Sequence, residues 1–257
     1  MKLYIFGSCS GTEPMENRHH TALAFEINDR IYWFDAGEGC SYTAHLMGVD
    51  LLKVSDIFIS HPHMDHIGGL SNLLWNIRKL SGRRSALPEY GNVTVYTPMG
   101  KTFDSVLSLL KNSEGNYENA YETLNKPVTD GVVFKNDYVE VTALHNLHLP
   151  KKDDKWQSYS YLIKGEGKKI VFSGDVKSLD DLSLLLKDGC DLLLMETGHH
   201  TAEEVLKKIK DDNYNINKVY FIHHGRGILN DYEGTLKRCL EINPSVKICN
   251  DKDIYEI

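Results

Sequence analysis

The 257-residue chain contains no C-x-x-C pair, no bilayer-length apolar run, no charged tail and no Pro/Gly/Ser-rich linker. Each absence excludes something. Its five cysteines, Cys9, Cys40, Cys190, Cys239 and Cys249, are odd in number and widely scattered. That excludes a disulfide framework and reads as reduced thiols, most of them small core residues. The roughly 20 apolar residues of a membrane span are missing. The opening M-K-L-Y-I-F-G-S is a strand-like run too short for a signal-peptide core. A cytoplasmic protein with no membrane partner is expected. Lys and Arg number 29 against 36 Asp and Glu, and the net charge of −7 is spread along the chain. This argues against a dedicated binder of long nucleic acid, which needs a basic face. With no composition break, a single domain over residues 1–257 is the economical expectation.

What is present is concentrated in residues 57–69, I-F-I-S-H-P-H-M-D-H-I-G-G. A short β-favouring run ends in Ser60, and His61, His63, Asp65 and His66 follow within six positions. Pro62 stops the strand and keeps the residue before it extended. Side chains two apart on an extended chain point the same way, so His61 and His63 can share one ion. Asp65 and His66, where the chain begins to curl toward a helix, can face a second. Imidazole and carboxylate suit zinc and similar divalent metals, and so dense a cluster after a strand marks a metal site.

Strand-like runs cover residues 2–6, 21–28, 30–35, 56–60, 93–97, 138–144, 157–164, 168–173, 190–195, 218–222 and 246–249. Helices are expected over 41–47, 70–80, from Pro98 to about 111, and over 179–187, 202–210 and 232–240. Segment 112–125 shows no period and reads as loop or irregular helix. Strands alternate with helices, which predicts an α/β domain of two sheets with helices outside. Three further strand ends carry candidate ligands: 138–144 leads to His145 and His148, 168–172 to Ser173-Gly174-Asp175, and 218–222 to His223-His224. Singly, each is as well a turn or a cap; together they complete a two-metal set. His223, which follows the strand directly, is favoured over His224.

These parts resemble the metallo-β-lactamase superfamily, and within it ribonuclease Z and related phosphodiesterases. The opening L-Y-I-F-G-S-C-S-G, then F-D-A-G-E-G from Phe34, and G-H-x-T from Gly198 follow the same pattern. The resemblance implies a four-layer αββα sandwich with the metals at one edge of the two sheets. It implies that His61, His63 and His148 hold one metal, Asp65, His66 and His223 the other, and that Asp175 bridges them. His148 is preferred to His145 on the alignment of V-T-A-L-H-N-L-H with the family's ligand. Asp35 is similar to a residue that orients a ligand histidine. Two divalent ions, zinc with manganese and iron as alternatives, would hold a bridging hydroxide for attack on phosphorus. Asp65 would accept the nucleophile's proton, and His199 would stabilise the phosphoryl oxygen or protonate the leaving group.

The resemblance also excludes neighbours. An Asp stands at 175 where the commonest β-lactamases carry Cys, and the Gly-His-Thr-Pro-Gly-His stretch of glyoxalase-type thioesterases is not found around His145–148. Segment 176–222 is too short for the inserted cap domain of the larger nucleases. Ribonuclease Z grips tRNA with a long arm between the strands that here join through Gly165-Glu166-Gly167, so the arm is missing. A small or cyclic, nucleotide-derived phosphodiester is therefore the expected substrate, and a homodimer the expected assembly. The alternatives are hydrolysis of a lactone, thioester or amide, and a non-catalytic metal-bearing sensor. The basic group Arg78-Lys79 and Arg83-Arg84 reads as a solvated helix end, and His19, His20 and His45 as loop and surface residues.

Overall fold

In the strand Lys2–Gly7 (β1), Leu3 and Ile5 face one side, Tyr4 and Phe6 the other, and all four are buried. A strand buried on both faces needs a layer against each. The same alternation runs through Ala22–Ile27 (β2) and Arg30–Phe34 (β3), where Tyr32 and Phe34 point to one core and Ile31 and Trp33 to another. Asn28 and Asp29 join these two strands with φ of 47° and 63°, the left-handed pair that a two-residue hairpin turn requires.

The computed structural model describes residues 1–12, 15–113 and 117–257. The chain continues through Cys40–Leu46 (α1), Val54–Phe58 (β4), Met64–Ile67 (α2), Leu70–Arg84 (α3), Asn92–Thr97 (β5), Gly100–Ser113 (α4) and Glu122–Pro127 (β6). Gly131–Lys135 (β7), Val139–His145 (β8), Tyr159–Gly165 (β9) and Lys168–Phe172 (β10) follow. The remainder is Ser183–Leu186 (α5), Cys190–Thr197 (β11), Ala202–Asp211 (α6), Ile216–His224 (β12), Arg226–Asn230 (α7), Tyr232–Ile242 (α8), Val246–Ile248 (β13) and Ile254–Glu256 (β14). Among the described residues the strands form two seven-stranded sheets, β14-β1-β2-β3-β4-β5-β6 and β13-β12-β11-β10-β9-β8-β7. In each, antiparallel pairs come first and parallel pairs later.

The sheets pack face to face over an aromatic core. Phe34 stacks on Phe58 with ring centroids 4.9 Å apart and meets Tyr161 edge-on at 5.7 Å and Phe172 at 6.1 Å. These rings belong to the residues just before, or on the strands beside, the loops that carry the histidines and Asp175. Helices α1, α3 and α4 cover the outer face of the first sheet through Ala44, Leu73, Leu74 and Phe103, while α5, α6 and α8 cover the second through Leu186, Leu206 and Cys239. The expected αββα sandwich is the one that forms. Among the described residues no helix is long and apolar enough to cross a membrane.

Several expectations need correction. Segment 112–125 holds the start of β6, an edge strand whose half-exposed residues lack an apolar run, and residues 114–116 of it, like 13–14 of the first loop, lie outside the described residues. Strands β7 and β14 were not foreseen; both are edge strands, five and three residues long, too short for a period to show. The helix expected over 179–187 breaks into a 3₁₀ turn, Leu179–Leu182, and the single turn α5. Helix α4 starts at Gly100, beyond Pro98. His223 does not follow its strand but lies inside β12. Of the basic group only Arg83 and Arg84 end α3, where Arg84 Nη1 donates to Asp50 Oδ1 at 2.8 Å; Arg78 lies more than a turn earlier and its Nε donates to Glu118 O at 3.1 Å.

Candidate functional site

Strand β4 lies in the parallel part of its sheet, and its C-terminal end releases the chain at the sheet edge, where crevices between connections form. His61 and His63 leave it extended, and His63 then opens helix α2 with φ −66° and ψ 149°. His61 Nε2 and His63 Nδ1 come within 3.0 Å, and His148 Nε2 lies 3.4 Å from His63 Nδ1. Asp175 Oδ2 approaches His61 Nε2 at 3.6 Å and His148 Nε2 at 3.7 Å. On its other side, Asp175 Oδ1 is 3.2 Å from His66 Nε2 and 3.3 Å from His223 Nε2. His223 Nε2 is in turn 3.2 Å from Asp65 Oδ2. The result is two sets of ligand atoms that share one carboxylate: His61, His63, His148 and Asp175, and Asp65, His66, Asp175 and His223.

The surroundings select which ring nitrogen faces inward. Asp35 is fully buried and accepts from Ser60 N and Ser60 Oγ, each at 2.7 Å. A carboxylate only accepts, so His66 Nδ1, 2.7 Å from Asp35 Oδ2, carries a proton, and Nε2 points to the cluster. Ser60 spends its proton on Asp35, so its oxygen accepts from His61 Nδ1 at 3.0 Å, and His61 Nε2 is likewise turned inward. Asp35 itself has φ 53°, held there by this network.

The second sheet supplies its residues one at a time. His148 N donates to Asn146 Oδ1 at 3.1 Å, and buried Asn146 is tied to Ser158 and Ser160 on the neighbouring strand end. Asp175 follows Gly174, whose φ of 56° and near contact with Ser60 Cβ leave no room for a side chain. His223 is thrown out of register: Glu196 pairs with Ile222 and Thr197 with His224, so His223 is a bulge residue with φ 52°. A Cβ on Gly198 would come within 2.6 Å of its ring. His145 and His224 lie elsewhere. His145 pairs with Asp130 and stacks on Trp156, and His224 is buried with Nε2 donating to Cys249 O at 2.8 Å. His19 and His20 are likewise engaged, with Asp251 and with the carbonyl of Thr12.

Charge is strongly organised here. Burial opposes ionisation of His66, yet the carboxylates of Asp175 and Asp35 raise its pKa well above the usual value. Burial also opposes the Asp175 carboxylate, but His66 and His223 hold it well below the usual range. Burial first, and then the neighbouring His66 ring, push His61 well below the usual value. Buried His66 Nε2 and Asp175 Oδ1 face each other with no hydrogen-bond partner, an arrangement that is costly unless a cation completes it. The residues fit divalent metal.

Glu196, Ser60 and Asn146 were not anticipated. Glu196 is 1% exposed and accepts from His199 N at 2.9 Å and from His199 Nδ1 at 3.0 Å. The hydrogen bond to Glu196 raises the His199 pKa despite burial. A carboxylate closing the apolar run Leu192–Met195 was the available signal, because a buried charge needs a partner. His199 reaches within 3.9 Å of Asp175, two residues before Thr201, which caps α6 by accepting from Glu204 N.

A family profile described as "Anti-Pycsar protein Apyc1" matches residues 1–237. The ribonuclease Z of Bacillus subtilis (strain 168) is 26% identical over 245 residues, covering 76% of this chain and 75% of its own. That of Methanothermobacter thermautotrophicus is 37% identical over 91 residues, 35% of this chain, and the match spans only 29% of that relative's length. The crystal structure of human tRNase Z, short form, superposes with a TM-score of 0.73 at 17% identity, over 100% of this chain and 99% of the other.

Proposed function

The chain belongs to the Anti-Pycsar protein Apyc1 family, and on that premise we propose that it hydrolyses a small or cyclic, nucleotide-derived phosphodiester with two divalent metal ions. Kinship with ribonuclease Z over three quarters of the chain supports a metal-dependent hydrolase of the metallo-β-lactamase superfamily. The observation that carries the proposal is the pair of ligand sets meeting at Asp175. His61, His63 and His148 would hold one ion and Asp65, His66 and His223 the other, zinc being the favoured metal. Bound there, the ions would neutralise a phosphate oxygen and acidify water.

The chain's own groups do the rest. Asp35 and Ser60 fix the tautomers of His66 and His61, so that no reorganisation is needed when substrate arrives. The Asp65 carboxylate takes up the proton lost by the attacking water. His199 Nδ1 is occupied by Glu196, so the proton it can give to the leaving oxygen is on Nε2. His63 is exposed and His148 partly so, which leaves the first set open to substrate while the second stays buried. A small substrate is favoured because β9 and β10 meet through a tight turn at Glu166 and Gly167, with no arm for tRNA. The homodimer implied by the resemblance is part of the same proposal, and sedimentation of the holoprotein tests it.

The decisive experiment measures metal per chain together with hydrolysis of a chromogenic phosphodiester and of cyclic nucleotides, for wild type and Asp175→Ala. Two metals with turnover that the substitution abolishes is the expected result. Turnover of thioesters or lactones alone would move the protein to that ester class, and no turnover with tight nucleotide binding would make it a sensor.

A further inference from the structure

The connection from β1 to β2 ties the two sheets together beside the ligand cluster. Cys9 forms one parallel β-bridge to His20, just before β2, and another to His224, the last residue of β12. Ser8 O accepts from His224 N at 2.7 Å, and His224 O accepts from Ser10 N at 3.1 Å and Ser10 Oγ at 2.9 Å. The backbone that follows the bulged His223 is thus held by residues 8–10 as well as by β11. One residue further, Gly11 lies against Asp65, where an added Cβ would come within 2.9 Å of Asp65 Oδ2. The connection therefore supports Asp65 directly and His223 through its neighbour, and both belong to the same ligand set. Among the described residues, 8–11 make no hydrogen bond to His61, His63 or His148 of the other set.

One carboxylate holds this connection at both ends. Asp251 lies in the turn between β13 and β14, belongs to neither ligand set, and has a side chain only 4% exposed. Its Oδ1 accepts from Ser8 N at 2.9 Å and Ser8 Oγ at 2.7 Å. Its Oδ2 accepts from His19 N at 2.7 Å and His19 Nδ1 at 3.0 Å. Four donors use the full accepting capacity of an ionised carboxylate, and its loss would leave buried donors without partners. Arg18 completes the clamp: Nη1 donates to Ser8 Oγ at 2.7 Å and to Cys249 O at 3.2 Å, and Nη2 to Asn250 Oδ1 at 2.7 Å.

We infer that Asp251 is a positioning residue for the metal held by Asp65, His66 and His223. By fixing both ends of the β1–β2 connection it keeps Gly11 against Asp65 and the His224 backbone in place beside the His223 bulge. The C-terminal turn then sets the affinity of one ion and leaves the other alone. The inference rests on the two-metal reading of the site. Groups that orient a metal ligand are worth roughly 10- to 100-fold in affinity; Asp251 acts one contact further out, so a loss of about tenfold is expected.

The test titrates the full-length protein with zinc against a chromogenic chelator, with no turnover involved. Wild type and Asp251→Asn are each measured alone and combined with His63→Ala or His223→Ala. The first combination disables the His61, His63 and His148 set and reports the second ion; the other does the reverse. An amide accepts at only one of its two ends, so Asp251→Asn releases one side of the clamp. It should weaken the ion left in His63→Ala about tenfold and leave the ion in His223→Ala unchanged. Ser8→Ala removes one of the four donors and decides, at the same ion, if Asp251→Asn does not fold. Leu110→Ala, a buried residue of α4, controls for lost stability and should keep both affinities. Unchanged affinity in the clamp variant, an equal loss at both ions, or the same loss in Leu110→Ala overturns the inference while the two-metal reading stands. Fewer than two ions in wild type overturns that reading, and the inference falls with it.

Discussion

The two sheets contribute to one cluster by opposite means. The first supplies His61, His63, Asp65 and His66 from a single strand end and the helical turn after it. The second supplies His148, Asp175, His199 and His223 from the ends of four strands, each with its own device. Asn146 clasps one loop, left-handed Gly174 bends another, Glu196 holds His199, and a bulge turns His223 inward. Local spacing secures the first share, whereas the second depends on long-range packing and should be the easier to disturb from a distance.

The largest effect is expected where the shares meet. Asp175→Ala should strip both metals and lower activity on the order of 10³-fold, the equivalent of several kcal/mol of lost charge stabilisation. His63→Ala should cost one metal only. Metal analysis of both variants distinguishes them, and loss of both ions from His63→Ala would break the comparison.

Gly198→Ala comes next. Its new Cβ meets the His223 ring, so metal affinity should fall by about 10- to 100-fold, as when a ligand loses its orientation. The fold should persist by circular dichroism; unchanged affinity would show that the bulge does not need this glycine. Asp35→Asn tests the first sheet in the same way. It leaves His66 Nδ1 a weaker partner, and chelator competition should find a loss toward the lower end of that range, about tenfold. The smallest effect is reserved for His145→Ala, whose metal content should equal wild type because His145 pairs with Asp130 outside both ligand sets.

How much was legible follows from where each signal was written. The dense group at 61–66, the hairpin at Asn28-Asp29 and the strictly alternating strands of both sheets are local patterns, and the fold follows from them. Edge strand β6 was missed because a half-exposed strand has no need of an apolar run, and β7 and β14 because five and three residues are too few to show a period. Glu196 was missed although its position after four apolar residues, three before His199, was visible; only its second partner, His223, is brought to it from far along the chain.

By itself the sequence determined the candidate metal-donor set, the layered architecture and the strand ends at which its further members sit. Those follow from donor type and from periodicity, both properties of neighbouring residues. Only the tertiary structure decided that His148, Asp175 and His223 converge on the first sheet's histidines, and which nitrogen of His61 and His66 turns inward. The reason is physical. A ring's orientation is set by the hydrogen bond it donates to a residue far along the chain, as His66 does to Asp35, and a ligand set closes only between elements that packing has brought together.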